Sequence, residues 1–144
     1  MGRLRAPFLI MKEGRQKMRV IMYQQRFKGS IKSGRKHTTI RPTPKREVVV
    51  GWTLSHRVWT GAPCRSKQEV LREAPCLSVT PIEIRREKVL LEGAELNENE
   101  VRLLAFADGF DNAEDFFLWF ETNHRLPFAG ILIAWQNEIE AKES

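Results

Sequence analysis

At 144 residues the chain has the length of one ordinary domain, and 42% apolar with 29% charged residues sets it apart from disordered and membrane-spanning classes. The net charge of +6 is unevenly spread: residues 1–48 hold 14 Lys and Arg against two acids, net +12, whereas residues 49–144 hold 10 against 16, net −6. A cationic third of this density suits a phosphate-rich partner, through both long-range attraction and counterion release; a solubilising basic arm is the other reading for residues 1–17.

Residues 1–17 carry neither helical nor strand periodicity and are expected to be a disordered basic arm. Their apolar patch, Ala6 to Met11, is too short for a secretory signal, so the chain is expected to be cytoplasmic and Cys64 and Cys76 to stay reduced. From Met18 to Arg26, MRVIMYQQR reads as a first strand, central by its near-continuous apolar run. FKGSIKSG gives a short helix with Phe27 and Ile31 on one face, stopped at Gly34. HTTIR is a short strand, and Pro42 and Pro44, which lack amide donors, arrest it in a loop.

VVVGWTLSHRVWTG predicts a long strand bulged at Gly51, with Trp52, Leu54 and His56 on one face and Thr53, Ser55 and Arg57 on the other. APCRSK is a loop, after which CLSVTPIEIRR and KVLLEGAEL form two strands joined by a hairpin at REK. The character changes at Leu96. Asn97 followed by Glu100 opens a helix carrying Val101, Leu104 and Ala105, and a second helix starts at Asp111 with Phe116, Phe117 and Phe120 on one face. FAGILIAW returns as a buried strand, and it is also the longest apolar run, far short of a bilayer crossing. The order predicts one α+β domain over residues 18–136, with a polar tail at 137–144. A mostly antiparallel barrel with two or three helices at its rim would remove the edges of such short strands.

The stretch GRKHTTIR is the densest in chemistry. If residues 38–41 are extended, Thr39 and Arg41 share one face while Thr38 and Ile40 turn to the core, and Lys36 can fold back over Thr39 from the preceding turn. An ammonium, a hydroxyl and a guanidinium then converge, which suits a phosphate or a polar heterocycle. A lysine whose pKa is lowered by burial could also deprotonate Thr39 for acyl chemistry. The alternative is ordinary β-sheet surface. Trp52 and Trp59 could stack on a base or belong to the core, and Arg57, Arg65 and Lys67 could extend the positive surface or be merely solvated. His37 adjoins the motif; His37, His56 and His124 have no spacing that suggests a metal site, and no cofactor is implied.

Residues 25–41, QRFKGSIKSGRKHTTIR, resemble the signature of ASCH domains in the PUA-like superfamily, with Gly34, Lys36, Thr39 and Arg41 at the positions of G-x-K-x-x-T-x-R. GWTLSHRVWTG and ADGFDNAEDFFLWF resemble two later motifs of that family, in the same order. The resemblance implies a PUA-like barrel that binds RNA, a nucleotide or a nucleoside in a basic cleft. It also implies two alternatives: a hydrolase removing the acyl group from 4-acetylcytidine, or a ribonuclease. For the hydrolase the lysine and threonine correspond to Lys36 and Thr39, and the acidic position falls on Asp108, one methylene shorter than the family's glutamate.

Overall fold

The computed structural model describes residues 17–135; Gln136, the expected polar tail and all of the expected basic arm except Lys17 lie outside the described residues. A seven-stranded mixed sheet carries three α-helices. In chain order the strands are β1 (Met18–Met22), β2 (Thr38–Pro42), β3 (Thr53–Trp59), β4 (Gln68–Arg85), β5 (Lys88–Leu91), β6 (Ala94–Glu95) and β7 (Phe128–Trp135). The helices are α1 (Lys28–Ser33), preceded by a 3-10 turn at Gln25–Phe27, α2 (Glu98–Ala107) and α3 (Ala113–Asn123).

The 18-residue β4 organises the sheet. Its first half ladders antiparallel to β3; its second half ladders to β7 and, at its end, to β5. The sequence suggested only the second half of this strand, because Pro75 interrupts the pattern. In the structure Pro75 stands at the end of the β3 ladder and the register slips between Cys76 and Ser78, so the chain bends there and continues. β5 and β6 follow by tight turns, with Glu87, Glu92 and Gly93 at positive φ.

Three expectations are corrected. β1 is an edge strand, paired in parallel with β3 alone, and its apolar residues Met18 and Val20 are 45% and 40% exposed. β3 begins at Thr53, with Val50 and Gly51 in a turn, and its irregularity falls at His56/Arg57 instead of Gly51. The sheet does not close into a barrel: among the described residues no ladder joins β1 to β2, which pairs with β7. In place of a ladder, the Arg41 side chain of β2 crosses the gap and donates from Nη2 to the Met22 carbonyl of β1 at 2.9 Å.

Helix starts follow from capping chemistry. Asn97 caps α2 in a reciprocal box with Glu100, as expected. α3 starts one residue later than expected, because Asn112 and not Asp111 accepts the Asp115 amide. Helix burial then follows the apolar spacing. Val101 and Ala105 of α2 and Phe116 and Phe120 of α3 enter the core with Ile31, Leu54, Ile84, Ile133 and Trp135. Each aromatic or large aliphatic side chain so buried is worth about 1.5–3 kcal/mol. Among the described residues no helix is long and apolar enough to cross a membrane, and both cysteines are free thiols.

Candidate functional site

The open seam between β1 and β2 holds a pocket of about 210 Å³. Its polar lining includes Gln24, Lys36, Thr39, Arg41 and Asp108, and its walls include Tyr23, Phe27, Phe110, Trp119 and His124. Lys36, Thr39, Arg41 and Asp108, singled out in the sequence from segments about 70 residues apart, therefore meet in one cleft.

Local backbone explains how. α1 ends at Gly34, whose φ of 90° is the left-handed conformation that glycine adopts without a Cβ clash. The chain then turns back, and the Lys36 amide donates to the Ser30 carbonyl at 2.9 Å. The His37 amide donates to the Ala107 carbonyl at 3.0 Å, which ties the end of α2 to the start of β2 and brings Asp108 beside Lys36. Gly109 completes the approach: its φ is 101°, and a Cβ there would lie 3.0 Å from both Lys36 Cδ and Phe27 Cδ1.

Lys36 is 2% exposed and Asp108 3%. The ammonium donates to the Thr38 carbonyl at 2.8 Å, to the Asp108 carbonyl at 2.6 Å and, at 3.4 Å, to Asp108 Oδ1. Thr38 Oγ1 donates to the same Oδ1 at 3.0 Å. Asp108 Oδ2 has no protein donor among the described residues. Burial lowers the Lys36 pKa to about 8, against the opposing pull of Asp108 and with a further push from Arg41. Burial likewise raises Asp108, with Lys36 and Thr38 opposing the rise. Both shifts favour the uncharged forms, because the pair is desolvated more than it is compensated.

On the neighbouring face of β2, Arg41 Nε donates to Thr39 Oγ1 at 3.1 Å, and the guanidinium lies 4.8 Å from the Tyr23 ring centroid. The Tyr23 hydroxyl contacts His56 Nδ1 at 2.9 Å. His56 is fully buried against Trp135, with ring centroids 3.8 Å apart; burial, then Lys36 and Arg41, lower its pKa to about 3. A neutral imidazole therefore anchors Tyr23, whose own hydroxyl is held protonated by burial.

Several expected roles change. Lys36 folds back onto the Thr38 carbonyl and Asp108; no hydrogen bond joins it to the Thr39 hydroxyl among the described residues. Thr38 turns inward with Ile40 as its place in the strand requires, but inward is where Asp108 sits, so it belongs to the polar cluster. Gly34 and His37 shape the loop without lining the cleft, and the His37 ring turns to the Arg35 carbonyl at 3.1 Å. Trp52, Arg57 and Arg65 lie away from it. Lys17 stands over Trp52 at 5.7 Å, Arg57 bonds Ser55 and Gln68 at 2.8 Å each, and Arg65 is exposed in the β3–β4 loop. The aromatic surface expected from Trp52 is supplied instead by Tyr23, Phe27 and Trp119. Trp119, read from sequence as simple helix packing, is half-buried and lines the cleft. The described residues contain no group of three or more His, Cys, Asp or Glu that could hold a metal ion.

No family model, curated protein or solved structure matches the chain. What the cleft can do follows from its own donors and acceptors. Its lining carries the Asp108 carboxyl group, an Arg41 guanidinium whose Nη1 has no partner among the described residues, the Thr39 and Tyr23 hydroxyls, the Gln24 amide, and aromatic rings.

Proposed function

We propose that the cleft binds the base of a nucleoside, nucleotide or RNA, and that the chain is an ASCH-type, PUA-like domain whose sheet stays open beside the cleft. One observation carries this reading: Asp108 and Arg41 line the same small aromatic-walled pocket, and Asp108 Oδ2 has no protein donor among the described residues. A carboxylate accepts from an exocyclic amine such as cytosine N4, and an arginine donates to the neighbouring ring nitrogen or carbonyl. Stacking on Trp119, Phe27 or Tyr23 adds about 1–3 kcal/mol per base. The resemblance of residues 25–41 to the ASCH signature supports the same reading, as does the cationic first third of the chain. Because the Lys36 ammonium is already directed at protein oxygens, its task in this reading is to orient Asp108; contact with the ligand falls to Asp108, Thr39 and Arg41.

Isothermal titration of the protein with cytidine, uridine and cytidine monophosphate tests the proposal. Saturable binding of the cytosine compounds, weakened at least about tenfold by Asp108→Asn, supports it; each charged hydrogen bond removed is worth about 1.5–3 kcal/mol. Equal affinity of wild type and Asp108→Asn would overturn it.

The second reading, hydrolysis of 4-acetylcytidine, is favoured by the lowered pKa of Lys36 beside a raised carboxyl group and a hydroxyl in one pocket. It requires the Lys36 side chain to release its proton and swing toward Thr39. Cytidine released from 4-acetylcytidine, with kcat/KM rising through about pH 8 and turnover abolished in Thr39→Ala, would establish it.

A further inference from the structure

We propose that a second pocket, beyond the last turn of α3, binds a backbone phosphate of a single-stranded polynucleotide whose neighbouring base occupies the cleft. This rests on the reading of the cleft as a base pocket and narrows its ligand from a free nucleoside to an oligonucleotide.

The second pocket, of about 420 Å³, is lined by Arg85, Arg86 and Arg125 with Glu121, Leu126 and Pro127. Three arginines and one glutamate thus line it, with Glu83 and Glu95 also close to Arg85. Arg85 is engaged by Glu83 at 2.8 Å, whereas Arg86 and Arg125 form no ion pair among the described residues. All three are exposed. Planar forks of donors around an open hollow match the oxygens of a phosphate.

Arg125 adds a second, independent sign. It follows the C-terminal cap of α3 with φ of 94°, and its amide donates to the Phe120 carbonyl at 3.0 Å. Glycine occupies such a position without strain, whereas a side chain with a Cβ is disfavoured. Here the residue in that conformation is an arginine that lines the hollow.

The position relative to the cleft sets the ligand class. Phe120 and His124 line the cleft, and Glu121 and Arg125, each one residue further on, line the arginine pocket. His124 is the C-terminal cap of α3 and Glu121 lies in its last turn, so the two linings meet at the end of one helix. A strand whose base enters the cleft can therefore continue past the end of α3 toward Arg125 and Arg86. A nucleoside fills only the first pocket.

The test uses the full chain. A fluorescein-labelled single-stranded cytidine octamer RNA is titrated by fluorescence anisotropy between 50 and 300 mM KCl, with cytidine and cytidine monophosphate followed in parallel by calorimetry. Wild type, Arg86→Ala/Arg125→Ala and Arg125→Lys are compared, with melting curves for each. The double variant is expected to bind the octamer about tenfold or more weakly, with a salt slope smaller by about 0.7 for each phosphate no longer neutralised, and to bind cytidine unchanged. Arg125→Lys keeps the charge and is expected to retain most of the octamer affinity. Unchanged octamer affinity and salt slope in the double variant, with cytidine still bound, would overturn the phosphate site and leave the base pocket standing. If the monophosphate binds wild type as tightly as the octamer, the polynucleotide assignment fails. If affinity for octamer and cytidine falls together with the melting temperature, the arginines merely brace the helix end and the proposal fails. If no ligand binds wild type, the base-pocket reading falls first and takes this one with it.

Discussion

Two lysine–carboxylate pairs in this protein differ in a way their distances conceal. Lys28 and Glu69 meet at 2.9 Å on the surface, with side chains 38% and 32% exposed; Lys36 and Asp108 meet at 3.4 Å with side chains 3% and 4% exposed. The shorter contact is the easier to assemble. Water solvates both of its charges, and the Glu69 pKa is lowered by the hydrogen bond from Lys28. At the buried pair the order of effects inverts: desolvation is the largest influence on each partner and drives both toward neutrality. Surface pairs of this kind are expendable, whereas a buried pair is unfavourable to retain and still more unfavourable to break by removing one member. The contrast places the costlier of the two pairs in the cleft.

Breaking the buried pair should have the largest effect. Asp108→Ala strands the Lys36 ammonium in the interior and is expected to cost about 3–5 kcal/mol in urea unfolding. Glu69→Gln, at the exposed pair, is expected to leave the unfolding midpoint nearly unmoved. A comparable destabilisation by both would erase the distinction.

Gly109→Ala should come next. It combines a positive φ with a Cβ 3.0 Å from Lys36 Cδ and Phe27 Cδ1 and is expected to cost about 1–3 kcal/mol while displacing Lys36. Gly51→Ala, with a similar φ of 96° and open space around its Cβ, should cost only the backbone part, about 1 kcal/mol, and leave ligand affinity intact.

pH gives a smaller, signed effect. The folded Lys36 releases its proton at about 8, below its ordinary 10.5. Between those values the unfolded chain holds more protons than the folded one, so the contribution of this group to stability rises with pH across that window and is flat below it. Unfolding of wild type and Lys36→Met between pH 7 and 10.5 should diverge in slope there; parallel curves would mean that Lys36 is not desolvated. Arg57→Ala, at a residue that does not line the cleft, should change stability by less than about 1 kcal/mol and ligand binding little.

The parts of this molecule that were legible in the sequence are those set by local chemistry. The Asn97–Glu100 capping box, the glycine stop at Gly34, the Glu87 turn and the apolar spacing of α2 and α3 all depend on residues within a few positions of one another. The convergence of Lys36, Thr39 and Arg41 was readable because strand alternation and a tight turn fix it, and Asp108 came from the resemblance of its segment. Thr38 was assigned correctly to the inner face, but inner was equated with apolar, and nothing in the TT dipeptide announces a buried carboxylate beside it. Trp119 and Trp52 could not be ranked as ring-stacking surfaces, since which one borders the cleft depends on how α3 docks across the seam. The first half of β4 is not legible in the sequence, since a strand that bends at a proline looks, residue by residue, like two segments and a loop. The open edge was invisible for the same kind of reason: it is made by one arginine crossing to Met22, a contact 19 residues away in the chain.

Calorimetric titration of cytidine into wild-type protein and Asp108→Asn at pH 7 tests most directly whether the buried cluster exists to present a carboxylate to a base. Saturable one-to-one binding to the wild type, reduced at least about tenfold in a variant that melts as a folded protein, is the expected result. Absence of heat at millimolar cytidine, or identical isotherms for the two proteins, would contradict the account.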